Sequence, residues 1–225
     1  MPVSIVQKKT SGAFNGFTFT SNVTAGNILV VVVEFLAGDG TARTITGFSD
    51  TQGNTWTSRV NINGPNDSGG RATQSWIYTG EGGTAGADTI SITFSGSQAD
   101  GGTTGYEISG ATVTDLATAT GSGTTETSFT TSTSISFTGS PMLIAGGYFS
   151  GAGAMSAGTG FTSDGDTRFA ESATTGITSP TSFPCSTASG GTAWAYSGIM
   201  LPATAVTVFF ESGAKSQYRR GKRTR

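Results

Sequence analysis

Three glutamates, Glu34, Glu107 and Glu171, lie in stretches with strand character and are the side chains best suited to acid–base work. Two such carboxyls flanking a glycosidic bond would supply the acid and nucleophile of a glycosidase. Glu107 has opposite parity to Tyr106 and Ile108, so it is expected to face solvent. Glu34 sits inside an apolar run, which implies a covered carboxylate, and an arginine across a subunit contact would satisfy it. The chain has no histidine, which removes the usual general base and the commonest metal ligand. Zinc enzymes and Ser-His-Asp hydrolases are therefore disfavoured, and no catalytic, metal or cofactor residue is assigned. Cys185 is the single cysteine; it has no disulfide partner and no imidazole to activate it, so it reads as a small buried apolar residue. Asp164-Gly165-Asp166 could offer oxygens to Ca²⁺ but lacks a full calcium-loop pattern, and it reads as a turn with capping aspartates.

Trp56, Trp76 and Trp194 raise a carbohydrate-binding alternative, because sugar rings stack on exposed aromatic faces. Trp76 and Trp194 each stand two residues before a tyrosine in matching places, which is what a core produces; Trp56 follows a turn and is the candidate glycan contact. The sharpest charge feature is the C-terminus. Residues 214–225 hold Lys215, Arg219, Arg220, Lys222, Arg223 and Arg225 and no acid, a charge of +6, while the remainder, with six basic and fourteen acidic side chains, carries −8. Such a tail binds an acidic protein surface, binds nucleic acid or stays solvated. With Tyr218 its only aromatic residue and no nucleic-acid-binding fold evident, a protein partner is favoured.

These residues must be positioned by strands. The longest apolar run, Asn27 to Leu36, is β-branched, bracketed by Gly26 and Gly38 and too short to span a bilayer as a helix. It is apolar on both faces, so its outer face must be covered, by another segment or another subunit. Residues 203–210 are apolar enough to provide that cover, which places Val206, Val208 and Phe210 with Glu34 among the expected assembly residues. Around Ser49–Asn54 the pattern reads as a hairpin, with Asp50 capping and Gly53 supplying the positive φ. Thr89–Phe94 alternates strictly, and no segment sustains a helical period. About a dozen strands emerge in all.

The order of features repeats at an offset of about 113 to 118 residues: Leu29 and Phe35 match Leu143 and Phe149, and Trp76 and Tyr78 match Trp194 and Tyr196. The fold expected is all-β, an antiparallel sandwich of jelly-roll type, one domain over 1–213 with pseudo-repeats at about 15–110 and 125–210 and a basic tail at 214–225.

The succession Gly26-Asn27-Ile28-Leu29-Val30-Val31, Ile45-Thr46-Gly47-Phe48-Ser49-Asp50-Thr51-Gln52-Gly53-Asn54-Thr55-Trp56, Thr89–Phe94 and Tyr106–Ala111 resembles a recurring β-sandwich module of bacteriophage virion proteins and bacterial surface proteins. The likeness covers roughly residues 15–202 and implies a display, decoration or adhesion role without catalytic residues. The expected function is thus a non-enzymatic virion structural protein, a capsid decoration or tail component, acting through contacts with other virion proteins and with itself. A carbohydrate-binding adhesion module on a host glycan is the alternative, and a glycoside hydrolase the third reading. The N-terminus carries no signal-peptide pattern, which fits synthesis in a host cytoplasm and a place in the virion, without membrane insertion.

Overall fold

The computed structural model describes residues 2–124, 128–132, 134–151, 155–164, 169–173, 179, 181–187 and 193–204. They form an all-β protein. The first half supplies β1 (Ser4–Ser11), β2 (Gly16–Thr18), β3 (Ile28–Ala37), β4 (Ile45–Asp50), β5 (Thr55–Asn66), β6 (Ala72–Glu81), β7 (Thr89–Phe94) and β8 (Gln98–Ser109). The second half supplies β9 (Ala117–Gly123), β10 (Ser128–Thr130), β11 (Met142–Ser150), β12 (Met155–Ala157), β13 (Thr162–Ser163), β14 (Phe169–Ala173), β15 (Pro184–Thr187) and β16 (Ala193–Leu201). Sixteen strands stand where about a dozen were expected. The surplus among the described residues lies in strands such as β12, β13 and β15, of two to four residues each, too short to show a two-residue period.

Four antiparallel sheets result: β1-β8-β3-β6-β5, β2-β7-β4, β13-β14-β11-β16-β9 and β10-β15-β12. Every ladder between these strands joins members of the same half; the halves meet face to face. Three apolar layers lie between the four sheets. In the central layer Val30, Val32, Ile77 and Ile108 of the first half pack on Met142, Ile144, Ile199 and Leu201 of the second. The opposite face of the first five-stranded sheet packs on β2, β7 and β4 through Leu29, Val31, Val33 and Phe35 against Phe17, Ile90 and Ile92. The second half repeats this with Leu143, Phe149, Trp194 and Tyr196 under Phe129, Phe183 and Cys185.

That stacking explains the central run. All ten residues of β3 are buried, odd ones toward the small sheet and even ones toward the second half. Each fully buried Val, Leu, Ile or Phe contributes about 1.5–3 kcal/mol of transfer free energy. The cover on the second face comes from β11 and β16 of the same chain; Ala203 bridges to Ala111 at the junction of the halves, and the rest of the expected cover, 205–210, lies with 211–225 outside the described residues.

The turn chemistry at Ser49–Asn54 is as expected, but the hairpin is not. Asp50 Oδ1 accepts the N–H groups of Gln52, Gly53 and Asn54 at 3.1, 2.7 and 3.0 Å, and Gly53 has φ 73°. Yet β4 pairs with β7 while β5 pairs with β6. The chain therefore crosses between layers at this turn, with Phe48 stacked on Tyr78 across the gap (4.4 Å, 17°).

The internal repeat is visible in the ladders with a shift of two residues. Trp194 faces Phe149, whereas Trp76 faces Val33, not Phe35. On that register Gly80 matches Gly198, and each lies beneath an aromatic ring. A β-carbon on Gly80 would stand 2.8 Å from Trp56, and one on Gly198 2.5 Å from Phe183, so only glycine permits these rings to lie flat on the sheet.

Candidate functional site

The three glutamates point into three different interiors. Glu34 lies two residues beyond Val32 on the face turned to the second half and is fully enclosed. It was expected at a contact with another subunit; the contact is internal to the chain. Glu107 sits on the opposite face of the same sheet and is also fully buried, contrary to the expectation of a solvent-facing residue. Its parity was read correctly, but the outer face is roofed by the small sheet and the 20–27 loop. Gln7 Nε2 and the Thr24 N–H donate to its carboxylate at 2.8 Å, and Asn27 Nδ2 donates at 2.6 Å. Glu107 thus ties β1 and the entry to β3 onto β8. Substitution Glu107→Gln puts an amide N–H₂ against at least one of these donors and should cost about 2 kcal/mol, read by urea denaturation; an unchanged midpoint would contradict the strut.

Glu171 occupies the equivalent position in the second half: it pairs with Ala145 as Glu107 pairs with Leu29. Its surroundings are poorer in donors. The Gly158 N–H donates at 3.2 Å and Tyr196 Oη donates to Oε1. Burial raises its pKa to about 8, the Asp164 charge adds to the rise, and these two bonds oppose it. Burial likewise pushes Tyr196 and the Cys185 thiol upward, with the Glu171 charge adding to both. Cys185 is buried, as its context implied. The three carboxyls do not face one another across a cleft, so they do not form the paired arrangement of a glycosidase.

Polar groups cluster where the halves meet beyond the apolar central layer. Lys8 Nζ donates to Asp164 Oδ1 at 2.6 Å, Tyr106 Oη to Oδ2 at 3.1 Å, and Thr10 Oγ1 to the Asp164 carbonyl at 2.8 Å. Asp164 is therefore a clasp between halves; Gly165 and Asp166 lie outside the described residues. Ser75 Oγ lies 2.5 Å from Ser197 Oγ and donates to the Gly146 carbonyl at 2.8 Å. Tyr148 Oη donates to Asp100 at 2.7 Å and Ser150 Oγ to Asp67 at 2.7 Å. Burial raises the Asp67 pKa, but Arg71, Ser150 and two backbone N–H groups outweigh it and hold the group at about 2. Such a rim fixes the mutual register of the halves more than it adds stability.

Trp56 is half-buried: it lies on Gly80, 4.5 Å from the Phe48 ring, and its Nε1 donates to Asp50 Oδ2 at 3.0 Å. Trp76 and Trp194 are core residues, 9% and 4% exposed.

The chain leaves the second half at a groove that sequence patterns did not reveal. Thr112 N–H donates to the Pro202 carbonyl at 3.0 Å and Thr204 N–H to the Gly110 carbonyl at 2.7 Å; Thr204 Oγ1 donates to Ala111 at 3.0 Å. This ladder cannot run on, because β8 already carries β1 on one edge and β3 on the other. Beside it lie two adjoining hollows, of about 440 Å³ and about 330 Å³, that share Asp115 and Pro202. The remaining expected assembly residues, Val206, Val208, Phe210, Lys215, Arg219, Arg220, Lys222, Arg223 and Arg225, lie outside the described residues. Compared with known proteins, the chain matches no family model, no curated relative and no solved structure.

Proposed function

We propose that this chain is a non-enzymatic structural protein of a bacteriophage virion that works through contacts with other virion proteins and with copies of itself. The observation that carries the reading is the exit at Thr204. Both edges of β8 are occupied where the Ala111–Ala203 bridge reaches it, and the apolar sequence 205–210 and the +6 tail that follow are what this reading assigns to a partner. The two edges of the first five-stranded sheet are blunted against lateral pairing: β1 carries a register shift between Ile5 and Gln7 and two lysines, and β5 carries two shifts and Pro65. The buried acids support the same reading, since Glu107 and Asp164 act as struts. A glycan-binding role would rest on Trp56 and Phe48, and a glycan array tests it directly.

Sedimentation velocity of the full-length protein and of a variant lacking 205–225 tests the assembly reading. The full-length protein should self-associate at 0.1 M salt and less at 1 M, as the Debye length falls from about 10 Å to about 3 Å. The truncated form should stay folded and monomeric. A full-length protein that remains monomeric at high concentration, and fails to bind virions lacking it, would sink the proposal.

A further inference from the structure

We propose that the groove beside the C-terminal exit seats the apolar arm, residues 205–210, of a second copy of this chain, exchanged reciprocally. This rests on the self-association proposed above and names its contact. One hollow is lined by Phe137, Thr138 and Met200, the other by Thr112, Ala203 and Thr204, and they join at Asp115 and Pro202. The groove therefore runs alongside the chain's own last described stretch and extends backward from Thr204.

Direction decides which arm can enter. To reach Phe137 and Met200, the chain's own arm would have to reverse immediately after Thr204. Ala205-Val206-Thr207-Val208-Phe209-Phe210 contains no Gly, Pro, Asn or Asp, and the first such residue is Gly213, so nothing there favours a reversal. The arm of a neighbour meets no such limit. In extended form Val206, Val208 and Phe210 share one face, which suits the apolar walls at Phe137 and Met200. Asp115, exposed and held at φ 60° where the hollows join, offers a carboxylate to the basic residues that follow the arm, fixing orientation more than affinity. Reciprocal exchange uses the same patches on both copies and closes as a two-fold dimer.

Two full-length variants, Val208→Cys and Thr138→Cys, mixed and oxidised, test this. Cys185 is buried and does not interfere. A mixed disulfide between positions 208 and 138 should form at least about tenfold faster than one between Val208→Cys and a Thr46→Cys control on β4, since the seated arm gives a high effective concentration. No excess over the control overturns the groove as the seat. So does an internal 208–138 disulfide in a monomeric double variant, which would place the chain's own arm there. Self-association without excess cross-linking defeats the groove alone; a protein monomeric by sedimentation defeats the assembly reading as well.

Discussion

Replacing Glu171 with glutamine should raise stability by under about 1 kcal/mol at pH 5 and by about 5 kcal/mol above pH 8. The folded pKa of about 8 lies above the ordinary carboxyl value of 4.5. A raised pKa means the folded state holds the proton more tightly, so the contribution is fully present below pH 4.5. It falls by about 1.4 kcal/mol per pH unit between 4.5 and 8 and is gone above that. Glutamine keeps the shape, accepts from the Gly158 N–H and donates to Tyr196 Oη, yet never ionises. The measurement is the difference between the two proteins' urea unfolding free energies across pH 5 to 9, which cancels the other titrating groups. Parallel curves would show that Glu171 does not carry a shifted proton. Glu107, at the equivalent position, is met instead by three amide donors.

Trp194→Ala should lower stability by about 3–5 kcal/mol, the usual range for removing a buried tryptophan. The ring touches Phe129 (5.3 Å) and Phe149 (6.3 Å) and covers Gly123, so its loss opens the layer beneath β10 and β15. Trp194→Phe should cost markedly less. The indole Nε1 has no hydrogen-bond partner among the described residues, so phenylalanine gives up area but no bond. Thermal and urea denaturation of both variants decide it. Equal losses for Ala and Phe would mean that the indole N–H has a structural partner, and no loss for Ala would remove the ring from the core.

Much of this architecture was legible in the residues. The two-faced apolar run of β3 announced a strand with cover on both sides, and Asp50 and Gly53 announced their turn. The paired Trp-x-Tyr segments announced a repeated core. Legibility ended where an outer layer is built from very little sequence. Phe17 and Phe19 roof one sheet from a strand of three residues and its flank, and their alternation does not tell which sheet they cover. Glu107 was therefore assigned to solvent on parity alone. Parity tells which face a residue takes and nothing about what lies beyond it. The same limit made β4 and β5 look like a hairpin, since a capped turn between two strands has the same sequence whether the strands pair or part into different layers. Trp56 keeps part of its ring exposed, and the cover it has, Gly80 and Phe48, comes from other strands and leaves no mark in its own stretch.

Closing every ladder inside its own half has a consequence in time. The ladders of the first half are complete once Ser109 has left the ribosome, and domains fold as units in the order of synthesis. The strands that cover Val30, Val32, Ile77 and Ile108 are β11 and β16, and β16 ends at Leu201. At about 5–20 residues per second, an interval on the order of ten seconds separates the two events. Throughout it, a finished sheet presents an apolar face to solvent. That face matches the one on the second half of any other copy as well as its own, so high-level synthesis should pair neighbouring nascent chains through the very surface that later becomes an interior.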